Sequence, residues 1–109
     1  MPKTEGYSVV LVTASSNEEA RKIADAVLEN RKAACVNIIP GVQSSYWWKG
    51  NREAAAENLL VIKTKTAVLA EVIKLVKEVH SYEVPEIIAL PIIAGNPDYL
   101  KWIHDEVNV

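Results

Sequence analysis

The protein has 109 residues, half of them hydrophobic, with a formal net charge of −2. That length suits one domain, residues 1–109, with enough apolar material for a core. Lys and Arg form no cluster, which excludes the basic footprint of a nucleic-acid binder and a polybasic membrane anchor. One cysteine, Cys35, excludes an internal disulfide and any CxxC metal or redox motif.

The opening Met1-Pro2-Lys3-Thr4-Glu5-Gly6 is polar and short. Val9-Val10-Leu11-Val12 is too brief for a signal core or a membrane span. A cytoplasmic protein is therefore expected. Tyr7 to Ala14, rich in valine, reads as a strand. Ser16-Asn17-Glu18-Glu19 follows as a capping box. Ala20, Ile23, Ala24, Val27 and Leu28 then recur at helical spacing and form one apolar stripe.

Cys35 to Trp48 is extended and interrupted once, at Pro40-Gly41. Lys49-Gly50-Asn51 reads as a turn, and the chain returns as a strand from Ala54 to Lys65. Thr66 begins a second helix with Leu69, Val72, Ile73, Val76 and Val79 inward. Val84 to Ile93 is a fourth strand. Asn96 caps a last short helix with Pro97 at its first position and Leu100, Ile103 and Val107 as its stripe.

The order β-α-β-β-α-β followed by a helix predicts an α+β, ferredoxin-like split βαβ fold with both main helices on one face of an antiparallel sheet. The expected strand order is 4-1-3-2, which puts the second and fourth strands at the edges. Proline is tolerated in edge strands. Pro40 and Pro91 fall in those two strands, and the first and third strand runs have none.

Two features point beyond one chain. The central strands are apolar on both faces, since Val10 and Val12 oppose Val9 and Leu11, and Leu60 and Ile62 oppose Leu59 and Val61. A sheet with helices on one face and water on the other should alternate. The second strand is also long: 14 residues at about 3.3 Å each span roughly 46 Å, against a radius of gyration of about 13 Å for a 100-residue globule. A bent, projecting hairpin covered by neighbouring chains resolves both. On it, Val42, Tyr46 and Trp48 share one face, and Gln43, Ser45, Trp47 and Lys49 the other. Tyr46, Trp47 and Trp48 are the expected interface residues. One tryptophan should pack in its own chain and the other meet a second copy, unless a bulge closes both over one core.

The chain resembles the CutA family of divalent-cation tolerance proteins. The resemblance runs from Val9 to Ile103 and is carried by Lys32-Ala33-Ala34-Cys35-Val36-Asn37, Tyr46-Trp47-Trp48-Lys49-Gly50, Ile62-Lys63-Thr64, His80-Ser81-Tyr82-Glu83-Val84-Pro85-Glu86-Ile87 and Tyr99-Leu100-Lys101-Trp102-Ile103. It implies a homotrimer with inward-facing sheets and clasping hairpins, and a non-enzymatic role in divalent-metal, especially copper, tolerance. Animal members have been linked to membrane anchoring of acetylcholinesterase. This sequence departs from the family pattern at the hairpin return, where Ala54-Ala55-Ala56 interrupts the acidic run. It departs again where Val12, Val79 and Ser81 replace the cysteine, histidine and proline of some members.

His80, Glu83 and Cys35 are the candidate ligands for weakly bound copper, since imidazole and thiolate suit soft or borderline metals. A helix C-terminal contact is the other reading of His80. Lys63, with Tyr82 and Glu86, is a candidate lining for a cleft between subunits that holds a small anionic ligand. That cleft would suit a trimeric regulator of the PII type, although the tight Lys49-Gly50-Asn51 turn replaces that family's long loop. An acylphosphatase-type enzyme would need an arginine near Ala14-Ser15-Ser16-Asn17, and there is none. Tyr99 and Trp102 are expected to pack, and His104 to be exposed.

Overall fold

The computed structural model describes residues 6–109; the opening segment 1–5 lies outside them. The elements are β1 (Tyr7–Ala14), α1 (Asn17–Glu29), β2 (Cys35–Trp48), β3 (Asn51–Lys65), a single 3₁₀ turn (Thr66–Val68), α2 (Leu69–Val79), β4 (Ile87–Ile92) and α3 (Pro97–Glu106). The sheet is antiparallel in the order β2-β3-β1-β4. This is the expected split βαβ arrangement, with Pro40 and Pro91 on edge strands where no ladder donor is lost.

Burial follows the pleat. Val10 and Val12 of β1 and Leu60, Ile62 and Thr64 of β3 are buried on the helix side with Ile23, Val27, Val72 and Val76. Ile103 and Val107 join the same core from α3 and its C-cap. The stripes are narrower than the sequence suggested. Leu28, Ile73 and Val79 are each more than a third exposed, because each helix meets the sheet along one line and these positions lie at its rim. α2 also begins later, at Leu69, after the 3₁₀ turn.

β4 is shorter than expected, starting at Ile87 rather than Val84. Pro85 has no N–H to donate and fixes its own φ, so the ladder with β1 begins beyond it; its first pair is Val12 with Ile87. The hairpin turn is the two-residue Lys49-Gly50, with φ of 51° and 82°, and β3 starts at Asn51. Positive φ at both positions gives the primed turn that matches strand twist.

β2 and β3 form a long ribbon, and the molecule measures 43 × 28 × 23 Å. The β2 register shifts between Ile39 and Val42, where Gly41 takes φ +75°. This bulge inverts the parity of β2. Cys35, Asn37 and Ile39 pair with Lys63, Val61 and Leu59, whereas beyond the bulge Val42 and Tyr46 pair with Glu57 and Glu53.

The sheet side turned away from α1 and α2 is apolar and only partly covered. Val9, Leu11, Leu59 and Val61 are half-buried there, and Ile88 and Leu90 of β4 are 51% and 49% exposed.

Candidate functional site

Three groups of residues stand out: the aromatics of the hairpin, a corner of the second sheet face, and a buried polar bridge at the end of α2.

At the hairpin end, Trp47 is 69% exposed with the Arg52 guanidinium 5.4 Å from its ring, and Trp48 is 38% exposed with the Lys49 ammonium at 5.5 Å. Tyr46 is also exposed. The expectation that one tryptophan packs in its own chain is corrected. The bulge is present, but it lies six or more residues before the tryptophans, and the ribbon carries both clear of the core.

At the corner, Cys35 and Lys63 are cross-strand partners. The Lys63 ammonium donates to Asn37 Oδ1 and lies 3.9 Å from Cys35 Sγ. Tyr99 of α3 lies near the same thiol; burial first, and then Cys35, pushes its phenol pKa up. The Tyr99 and Trp102 rings meet at 5.4 Å, tilted by 40°, and both remain 41% exposed. Lys63 is therefore engaged by β2 and lies within β3 rather than at its end.

The third group begins at the start of α1. Ser16 caps the helix, its hydroxyl accepting from the Glu19 N–H, as the sequence motif predicts. The reciprocal half of the box differs. Glu19 Oε1 accepts from Ser15 N–H and Oγ, and Oε2 accepts the Ser81 N–H, 62 residues away, at 2.7 Å. Glu19 is 8% exposed. Burial alone would raise its pKa, but the hydrogen bonds from Ser81 and Ser15 outweigh it and hold the carboxylate at about 2.

His80 follows α2 with its side chain fully enclosed. Nε2 lies 2.7 Å from the Thr13 carbonyl, and Nδ1 is 3.1 Å from the Tyr82 N–H. A carbonyl only accepts and an amide N–H only donates, so the bonding assigns the neutral tautomer with the proton on Nε2. Glu19 Oε2 lies 3.9 Å from Nδ1. The Tyr82 ring sits 4.8 Å from the imidazole, and its hydroxyl donates to Glu57 Oε2 at 2.7 Å. Glu57 is buried beside the root of the hairpin. Burial, the Glu57 bond and its charge push the Tyr82 phenol well above its ordinary range.

These placements correct both readings of His80. It contacts neither the last carbonyls of α2 nor open space; with both nitrogens engaged, it has no lone pair to offer a metal. The candidate copper set is also dispersed. His80 attaches to Thr13, Cys35 neighbours Lys63 opposite Val9, and four residues of β1 are about 13 Å. Glu83 is exposed. Among the described residues no three His, Cys, Asp or Glu side chains converge to hold a metal. Within one chain the three residues of the anion cleft do not meet either. Tyr82 is tied to Glu57, six residues along β3 from Lys63, about 20 Å, and Glu86 is exposed.

Sequence reasoning passed over Glu57 and Thr13. The capping motif pointed to Glu19, but its second oxygen serves a partner that only the fold supplies.

The fold and its half-open apolar sheet define a small ferredoxin-like domain of the split βαβ class. The CutA1 divalent ion tolerance protein family matches residues 8–106, and the chain belongs to that family. It is 50% identical over 97 residues to the divalent-cation tolerance protein CutA of Thermus thermophilus, covering 89% of this chain and 94% of that one. It is 46% identical over 95 residues to the chloroplastic protein CutA 1 of rice, covering 87% of this chain and 54% of that protein. The chain spans about half the length of the rice, mouse and Arabidopsis relatives it matches. The solved structure of the periplasmic divalent cation tolerance protein CutA from Archaeoglobus fulgidus superposes with a TM-score of 0.90 at 44% identity, covering 94% of this chain and 99% of that one. Among the described residues no helix is long and apolar enough to cross a membrane.

Proposed function

We propose that the protein is a homotrimeric, non-enzymatic member of divalent-metal tolerance, whose sheets face one another across the assembly. The observation that carries this reading is the second sheet face. Val9, Leu11, Val61, Ile88 and Leu90 form a contiguous apolar surface, half of it open in a single chain. Large exposed apolar patches mark association sites. Three copies related by closed symmetry would cover it without leaving a free edge. The exposed Tyr46, Trp47 and Trp48 then reach a neighbour, in keeping with the prominence of aromatics at interfaces.

The relatives' names supply the link to divalent cations. The residues of one chain do not fit a resident copper ion, so the proposed copper contact is weak. We place it at Cys35, the one thiol, because thiolate prefers copper to harder ions. Calorimetric titration of Cu(II) and Zn(II) into the purified protein tests this. A weak copper isotherm that Cys35→Ser diminishes and His80→Asn leaves unchanged supports it. A tight isotherm, or one abolished by His80→Asn in a folded protein, overturns it.

A further inference from the structure

We infer that His80 is a proton-operated latch: charging its imidazole exchanges the Tyr82 backbone bond for one to Glu19 and loosens the hold of Tyr82 on the root of the hairpin.

The geometry leaves a proton one place to go. Nε2 already carries hydrogen and donates to Thr13. A second proton must sit on Nδ1, which now accepts from the Tyr82 N–H. Two donors cannot share that line, so the Tyr82 amide has to leave. An acceptor waits beside it. Glu19 Oε2 is 3.9 Å from Nδ1, about 1 Å beyond a charge-assisted bond. That oxygen holds the Ser81 N–H and has a second lone pair. Protonation therefore draws His80 toward Glu19 and releases Tyr82.

The groups around the ring are few. α1 contributes the Glu19 carboxylate, and β1 a carbonyl. The turn after α2 contributes the Tyr82 phenol, and β3 reaches the ring only through Glu57, which holds that phenol. Tyr46 of β2 lies in the same electrostatic neighbourhood. Histidine is the side chain that changes charge between about pH 5 and 8.

The signal has a route outward. Tyr82 is bonded at both ends, to His80 through its amide and to the buried Glu57 through its hydroxyl. Displacing the turn strains the second bond and threatens to leave a buried carboxylate without its donor. Glu57 pairs with Val42, immediately past the bulge, where the hairpin leaves the sheet. Any consequence for assembly rests on the trimer reading; the local exchange of bonds does not.

The test is nitrogen-15 NMR on the intact protein from pH 8 to 5, following the His80 ring nitrogens and the Tyr82 amide, with light scattering on the same samples. The expected result is that His80 goes from one protonated nitrogen to two while the protection of the Tyr82 amide, its exchange rate referred to the intrinsic rate at each pH, falls about tenfold, the loss of one net hydrogen bond. His80→Asn offers an amide oxygen to the Tyr82 N–H without a titrating group, so its Tyr82 exchange should show no such step. Tyr82→Phe should keep the step at residue 82 but disconnect it from Glu57. The latch is refuted if His80 titrates while the protection of the Tyr82 amide stays unchanged, or if His80 stays singly protonated down to pH 5. The scattering mass reports on assembly separately, so a failed trimer and a failed latch give different results.

Discussion

Replacing Glu19 with glutamine should destabilise the protein strongly at neutral pH and much less in acid. Glu19 is buried at the start of α1 and receives hydrogen bonds from Ser15 and Ser81. Its pKa falls from an ordinary 4.5 to about 2. At about 1.4 kcal/mol per unit, that shift is worth about 3 kcal/mol of folding stability. Because the folded-state pKa is the lower one, the contribution is fully present above pH 4.5. It is lost as the pH falls from there toward 2. Glutamine keeps the shape and one acceptor oxygen, but its NH₂ group would face the Ser81 N–H or the Ser15 donors. Urea unfolding at fixed protein concentration, at pH 7, 4 and 2.5, gives the difference directly. Glu19→Gln should be about 3 kcal/mol less stable at pH 7, with most of that gap closed at pH 2.5. A gap under about 1 kcal/mol at pH 7, or one that does not change with pH, would refute the reasoning.

Trp48→Ala should weaken the proposed assembly by about 2 kcal/mol or more, and by more than Trp102→Ala, because the hairpin carries Trp48 away from its own core; dilution followed by light scattering measures both. Gly50→Ala should cost about 1 kcal/mol by urea unfolding with no change in assembly. Its φ of +82° disfavours a side chain, while nothing lies within 4 Å of an added Cβ; a neutral effect would mean that the turn relaxes.

The elements that sequence reasoning located well are those whose causes are local. A serine before an apolar stripe, asparagine before proline, and prolines restricted to two strand runs each act within a few residues. All three stand where they were expected. The misplaced features depend on distant partners. His80 reads as a helix terminus or a ligand until Thr13, 67 residues away, is seen against it. Glu19 reads as half of a capping box until Ser81 arrives. Cys35, Lys63 and Asn37 meet through β2–β3 register, which the bulge at Pro40-Gly41 resets. The tryptophans stand clear of the core despite their alternation, because alternation tells which side of a strand a residue takes, not whether anything lies there.

The central claim is that other copies of the chain cover the second sheet face. Light scattering on a sizing column at micromolar protein tests it most directly, with the wild type beside Leu11→Lys. Leu11 points to that face and is no part of the buried core, so lysine there should leave the fold intact. The account predicts three times the 12.0 kDa chain mass for the wild type and a shift toward a single chain for the variant, with both showing the same far-ultraviolet circular dichroism. A wild-type mass of one chain, or a trimer untouched by Leu11→Lys, would contradict it.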